Sequence, residues 1–562
     1  MRGKSPLLRA CWSGVVLVTC LAGCLIVSPL EDHPEPQGFS GGGGKSSQAG
    51  SSSPSAGEAG EPSGGHGPSS EGCQTNEDCV RPGAGAPYRC RQSDHKCVQL
   101  SSDECPVVLG PAEDPSAIYF GAFATLNPLA PDKNTIFWSH ELAREQLSSD
   151  EAGGLRGRDG GPARPLVIVG CNNADASIEP ALKHLVENVE VPALIATLKP
   201  GDMRRAYEAY RASKLFYLSP VPVTKTLIQD EPDGLIWNLL GQPADLAPAY
   251  AELLRLSEQH VRRILDLEAA EPIRVVLVTT LDAFDSELAD SVRPLLQFND
   301  GKSTTKNGGN YKDFTVNPSS DLAELGLQIA QFRPHIVISA ASDAFTKPEG
   351  LIDHIEFEWA AAADDLLREP FYILSPYNAG DLGYLQSNID KGLKFSGSDM
   401  YTRFIGLSIA GARDISLQNI YANKLLSRFP NAYTDSANYY DAVYFLAYAM
   451  YGSSDTGALT GPGIADGMKR LLSGDPFDIG AMAINDVFDA LDVEGATLQL
   501  NSTLGPPSFD PETGVRPVDG GVFCFSRENE QATSTQRELD VLRYDRDLEH
   551  FGDAEFPCFT FP

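Results

Sequence analysis

Between Leu166 and Ala196 the chain reads LVIVGCNNADASIEPALKHLVENVEVPALIA. Leu166 to Gly170 is a continuous apolar run rather than an alternating one, the pattern of a strand buried on both faces. Leu182, Leu185, Val186 and Val189 then recur at helical spacing, and Pro192 to Ala196 begins a second continuous run. Strand, helix and strand in this order give an α/β layer with a right-handed crossover.

The same texture extends on either side. Ala117 to Phe123, Leu215 to Leu218, Ile273 to Val278, His335 to Ala340 and Phe371 to Leu374 are further continuous runs, and Tyr250, Leu253, Leu254, Val261 and Leu265 lie at helical spacing. The repeat pauses near Thr226 to Pro243 and resumes, which predicts two α/β lobes rather than one very wide sheet. Ligands of such sheets bind beyond the carboxyl ends of the strands, where loops of both lobes face a cleft.

Upstream of Ala117 the composition changes twice. Gly38 to Gly72 is built from Gly, Ser, Ala, Pro and Glu and cannot bury enough surface to offset ordering, so it reads as a tether. About 40 such residues reach roughly 35 Å. Cys73, Cys79, Cys90 and Cys97 follow within a stretch poor in core-forming side chains, so disulfides are expected to substitute for a core. Zinc is the competing reading, but these intervals lack paired C-x-x-C spacing. The start of the chain carries Arg2, Lys4 and Arg9, an apolar stretch from Gly14 to Leu21, and Leu21-Ala22-Gly23-Cys24. This is the pattern of an export signal. The tetrapeptide resembles a bacterial lipobox, which implies lipid on Cys24, and Leu25 in place of aspartate points to outer-membrane sorting. Of eleven cysteines, eight remain after the signal and Cys24 are set aside, an even number suited to four disulfides. The formal net charge of −32 disfavours nucleic acid and anionic lipid surfaces as partners.

Several motifs, in order, resemble the type 1 periplasmic binding proteins, in particular the extracellular receptors similar to leucine/isoleucine/valine-binding proteins. Glu141 to Glu145 followed by Ala152 to Arg158 resembles their first helix and glycine turn. Pro165 to Asn173, Val191 to Ile195 and Lys214 to Pro220 resemble the second, third and fourth strands. Asp313-Phe314 and Arg333 to Ile338 match a pattern of the second lobe, and Tyr440-Asp441-Ala442-Val443 is very like the family's Tyr-Asp-Ala-Val helix. The resemblance covers about residues 116–525. It implies a two-lobed Venus-flytrap with parallel sheets and three crossing segments, preceded here by the small disulfide-rich module, that closes on a small molecule.

The same resemblance nominates ligand-binding residues. After the third strand, Thr197 and Lys199 occupy the loop where a ligand-binding serine is expected. Lysine offers an ammonium to an anion, or simply stays solvated. Ser219 and Thr224 align with the next loop, as ligand hydroxyls or as turn caps. In the second lobe, Phe284 keeps a ring, Tyr377 stands where an acid would bind an ammonium, and Asp343 is a substitute acid or a helix cap. By position, Cys105 and Cys171 flank the first two strands of lobe one and Cys524 and Cys558 bracket the carboxyl-terminal tail, which suggests pairing them that way.

Gly301-Lys302-Ser303 lacks the glycine a P-loop needs, since Leu296 holds that position, and neither H-E-x-x-H nor G-x-S-x-G occurs. No enzyme, cofactor or metal is expected. The expected organisation is a signal over 1–23, a tether over 24–72, the module over 73–104, the two-lobed domain over 105–530 and a tail over 531–562. Lobe one is expected over about 113–230 and 405–490, and lobe two over about 235–403 with a late return. The expected role is a lipid-anchored solute-binding protein for a small polar, amino-acid-like ligand, periplasmic or at the outer membrane or cell surface, with an ABC permease as implied partner. The alternative is a surface sensor or interaction lipoprotein using the same fold without transport.

Overall fold

The computed structural model describes residues 72–79, 87–127, 130, 134–149, 153–157, 162–230, 233–346, 349–361, 369–379, 403–453, 459–528, 531–534 and 542–552. The expected signal, Cys24, nearly all of the tether, and Cys558 lie outside them. No helix among the described residues is long and apolar enough to cross a membrane.

The chain opens with a short hairpin, β1 (Tyr88–Arg91) against β2 (Lys96–Gln99). Cys73–Cys90 and Cys79–Cys97 close around it with Cα–Cα distances of 5.7 and 5.3 Å. All four sulfurs are therefore used in disulfides, and the metal reading of this cluster falls because a metal needs free thiolates. The module is seated on the domain behind it. Asn76 Nδ2 donates to the Tyr119 hydroxyl at 2.9 Å and to the Asp114 carbonyl at 3.1 Å. Arg89 donates to the Val189 carbonyl at 2.6 Å while its guanidinium lies 4.4 Å over the Tyr119 ring. Such a contact adds about 0.5–2 kcal/mol.

The first sheet contains β3 (Val107–Leu109), β4 (Ile118–Ala124), β5 (Leu166–Asn172), β6 (Ala193–Ile195), β7 (Phe216–Ser219) and β8 (Ile236–Asn238). Its order is β3-β5-β4-β6-β7-β8, parallel throughout except for the antiparallel β3 edge. Every residue of β4 and of β7 is buried, as their continuous apolar runs require. The covering helices include α1 (Thr135–Leu147), α2 (Asp175–Lys183), α3 (Pro200–Tyr210) and α4 (Lys225–Asp230). Helix α1 begins at Asn134, whose side chain accepts from the Ile136 amide at 2.9 Å. It ends at Leu147 with Ser148 as its cap, and further along the chain Gly153 and Gly154 take φ of +68° and +116°. At Gly154 a Cβ would run into the Arg164 carbonyl, so only glycine fits that turn. Cys105 and Cys171 are bonded to each other, as expected, and tie the β3 edge to β5.

The second sheet takes β9 (Val275–Thr280). After a small hairpin of β10 (Gln297–Phe298) and β11 (Lys302–Ser303), it adds β12 (Tyr311–Val316), β13 (Ile336–Ala340), β14 (Phe371–Leu374) and β15 (Phe404–Ile409). Beyond a separate pair of β16 (Asp475–Asp478) and β17 (Leu498–Asn501), the sheet is completed by β18 (Gly520–Glu528) and β19 (Gln531–Ser534). The order is β12-β9-β13-β14-β15-β18-β19, with β18 and β19 antiparallel to their neighbours. Helices α5 (Ala247–Ile264) and α6 (Ala283–Val292) flank β9 in the chain.

Strands β8 and β15 place the lobe crossings later than the sequence implies. Ile236–Asn238 joins the first sheet and Phe404–Ile409 the second, so the chain crosses only after each. A third crossing runs beside them. The Asn238 amide donates to the Gly514 carbonyl at 2.9 Å, the Arg516 amide to the Asn238 carbonyl at 3.1 Å, and the Ala410 amide to the Asp519 carbonyl at 2.9 Å.

The Ala437–Gly452 helix, which contains the Tyr-Asp-Ala-Val motif, has all of its residues buried. Burying each large apolar side chain there contributes about 1.5–3 kcal/mol. Asp441 accepts from the Thr503 amide at 3.2 Å and from the Thr503 hydroxyl at 2.8 Å, so the motif's acid holds the loop after β17. Burial pushes its carboxyl up to about 6.

Candidate functional site

In the first sheet the chain leaves β4 for β5 on one side and reaches β6 on the other. In the second it leaves β9 for β12 and then reaches β13 on the opposite side. Each sheet therefore has a topological switch point, and a crevice opens beyond the carboxyl ends of the strands that flank it. Those ends carry Thr125 and Thr197 in lobe one, and Thr280 and Ser342 in lobe two.

On the lobe-one rim, Thr197 is buried and its carbonyl accepts Asn173 Nδ2 at 3.0 Å, yet its own hydroxyl has no hydrogen-bond partner. Ser219 is spent locally: its hydroxyl donates to the Val221 carbonyl at 2.7 Å. Thr224 accepts the Leu227 amide at 3.3 Å and so caps α4. Both keep to the turn-cap alternative. Lys199 is exposed at the entry to α3, in line with the solvated alternative.

Two side chains that sequence reading passed over clamp the same loop. Asn438 Nδ2 donates to the Pro220 carbonyl at 2.8 Å, and Asn238 Nδ2 to the Val221 carbonyl at 2.7 Å. Both amide oxygens are buried without a partner. A buried polar atom left unmet costs about 1–3 kcal/mol, and most find a partner. The rim therefore combines an unmet hydroxyl with two unmet acceptors, the inventory that a polar ligand or bridging water completes. Asn438 carried a signal in sequence, being an amide on a helix otherwise almost wholly apolar or aromatic.

The lobe-two rim is built around the start of α6. Asp282 caps it by accepting the Phe284 amide at 2.8 Å. Phe284 is buried and meets Tyr377 edge to face with ring centroids 4.5 Å apart, so the structure brings these two nominated residues together. Asp343 begins a short helix, Asp343–Thr346, at the end of β13, and its side chain lies outside the described ones. The fully buried acid is its near neighbour in space, Asp285. Its Oδ2 accepts the Thr280 hydroxyl at 2.6 Å, and the amide and hydroxyl of Ser342 at 2.9 Å each, while Oδ1 has no partner. Burial pushes this carboxyl up to about 7, and the bonds from Thr280 and Ser342 only partly counter it. Sequence alone reads Asp285 as an ordinary acid in a helix's first turn, favourable to the dipole. Beneath it Asn378 accepts from the Ser339 and Ser375 hydroxyls at 2.9 and 3.0 Å and donates to the Ala341 carbonyl at 3.0 Å. This knot fixes the β13 and β14 ends relative to each other.

Neither a family model nor a curated protein matches the chain. Solved structures do. An ABC transporter substrate-binding protein from Desulfitobacterium hafniense, in complex with Leu, is similar over 75% of this chain and 100% of its own, at 16% identity and a TM-score of 0.45. A leucine-binding protein from Thermotoga maritima is similar over 75% and 98%, at 11% identity and a TM-score of 0.47. A solute-binding protein of an R. palustris ABC transporter, in complex with benzoate, is similar over 74% and 95%, at 12% identity and a TM-score of 0.45. The chain's own strand order, its paired switch points and its side-by-side crossing segments carry the assignment: this is the two-lobed α/β fold of the type 1 periplasmic binding proteins.

Proposed function

We propose that the protein is a solute-binding lipoprotein that takes one small polar ligand between its two lobes, without covalent chemistry, and delivers it for ABC-type import. The observation that carries this reading is the pairing of two switch-point rims, each with a buried polar group left unmet: the Thr197 hydroxyl on one and Asp285 Oδ1 on the other. A ligand with both donor and acceptor groups satisfies both. The lipid anchor on Cys24 and the tether are the sequence-based part of the proposal; they hold the lobes near a membrane while leaving them free to meet a permease.

The identity of the nominated residues narrows the ligand. Phe284 and Tyr377 supply an aromatic wall, and Asp285 replaces the acid that Tyr377 displaces. A thermal-shift screen of the chain against amino acids, aromatic and aliphatic carboxylates, amides and short peptides tests the reading. Saturating ligand at about 100 times its dissociation constant adds about 2.7 kcal/mol to native stability. One chemical class is expected to raise the melting temperature, and Thr197→Val is expected to remove most of that rise.

A further inference from the structure

Close to the carboxyl terminus a short hairpin, β20 (Tyr544–Asp545) against β21 (His550–Phe551), lies on the three crossing segments. Its base is set in lobe two. Tyr544 and Phe551 are buried with ring centroids 5.5 Å apart, β21 packs on α5, and Arg543 pairs antiparallel with Gly521 near the start of β18.

From that base two arginines reach the crossings. Arg543 donates to the Gly411 carbonyl, just past β15 in the second crossing. Arg546 donates to the Val518 carbonyl, and its Nε meets the Asp519 carboxylate at 3.1 Å, both in the third. The same guanidinium lies 3.5 Å from the Asp245 carboxylate and 3.4 Å from the Asp245 carbonyl. Asp245 in turn accepts the Gln242 amide at 2.9 Å, at the end of the first crossing. Asp545, between the two arginines, pairs with Arg413 of the second crossing at 3.5 Å.

These bonds fall where the crossings meet lobe two. A backbone carbonyl outside regular structure needs a donor, and a guanidinium serves several acceptors at once in a fixed fork. At the lobe-one end the crossings are held by each other, Asn238 against Gly514 and Arg516. Rotation of two lobes is absorbed by backbone changes at a few residues of such segments, so a body bonded to all three at one end decides where they can bend.

We propose that this hairpin is a collar on the hinge: it binds the lobe-two ends of the three crossings into one unit, confines bending to their lobe-one ends and so narrows the range of lobe rotation. The collar rests on the two-lobed fold alone, and no ligand enters it.

Spin-label distances on the full chain read lobe rotation directly. Labels at Ala209→Cys on α3 and at Ala323→Cys on the helix Leu322–Phe332 mark one exposed position in each lobe. Against that background, Arg543→Ala with Arg546→Ala is expected to broaden the distance distribution about twofold. Arg543→Lys with Arg546→Lys, which keeps the charge but loses the fork, is expected to fall between. Hydrogen exchange locates the change. The Gln242 and Ala410 amides, at the lobe-two ends, are expected to exchange about tenfold faster in the alanine variant, while the Arg516 amide, held by Asn238, and the Val278 amide within β9 keep their rates. Circular dichroism verifies folding; should the double alanine variant not fold, Arg546→Ala, which still releases the first and third crossings, is read in the same way. An unchanged distance distribution in the folded variant overturns the collar, whatever the exchange shows. Equal acceleration at Arg516 and Val278 overturns it too, since the hairpin would then stabilise the fold as a whole.

Discussion

Asp285 uses one carboxylate oxygen three times and leaves the other bare inside the protein. With its carboxyl raised to about 7 in the fold, against an ordinary value of 3.8, the native state holds a proton that the unfolded chain releases between those values. Stability contributed by this group is complete below the unfolded value and is lost as pH rises through about 7. The stability of wild type relative to Asp285→Asn is therefore expected to fall as pH is raised from 4 to 7 in urea unfolding. Asn438 makes a second residue-scale case. Its loss frees the Pro220 carbonyl, and Asn438→Ala is expected to cost about 1–3 kcal/mol, read by the same unfolding series. Gly467 makes a third, since a Cβ there would meet the Ala449 carbonyl of the fully buried helix. Gly467→Ala is expected to lower the melting temperature, with an overpacking cost of about 1–3 kcal/mol.

At the scale of elements, the bond between Cys105 and Cys171 spans 66 residues and ties the antiparallel edge strand to the sheet. Removing both cysteines by Cys105→Ser with Cys171→Ser is expected to cost about 4 kcal/mol through the freedom regained by the unfolded chain, read as a lower denaturation midpoint. The cysteine module behaves as part of lobe one rather than as a free appendage, because Asn76, Arg89 and Tyr119 join across the junction. Strands with continuous apolar runs were legible in the sequence. Phe371 to Leu374 matches β14 residue for residue, and β4 to β7, β9 and β13 fall within two residues of the runs that announce them. Others were not. Tyr311–Val316 is a sheet edge with mostly half-exposed or exposed side chains, so its run is broken by Lys312 and Asp313. Ile236–Asn238 is only three residues long; it pairs with β7, and its last residue is held by the Gly514 and Arg516 backbone far along the chain.

At the scale of the whole molecule, the two lobes and their order were readable because the strand–helix repeat pauses once and resumes. The partners within the site were not. Asn438 grips the loop at Pro220 from 218 residues away, and no local pattern encodes such a pairing. Of the nominated residues, Phe284 and Tyr377 meet, Thr197 stands at the switch point with an unmet hydroxyl, and Ser219 and Thr224 serve their own turns. The central claim is that one polar ligand is held by both rims at once. Calorimetric titration of the compound that most raises the melting temperature tests it directly, using wild type, Thr197→Val from lobe one and Tyr377→Ala from lobe two. The account predicts one ligand per chain and at least tenfold weaker binding in each variant; no saturable binding across the panel, or binding untouched by either substitution, would contradict it.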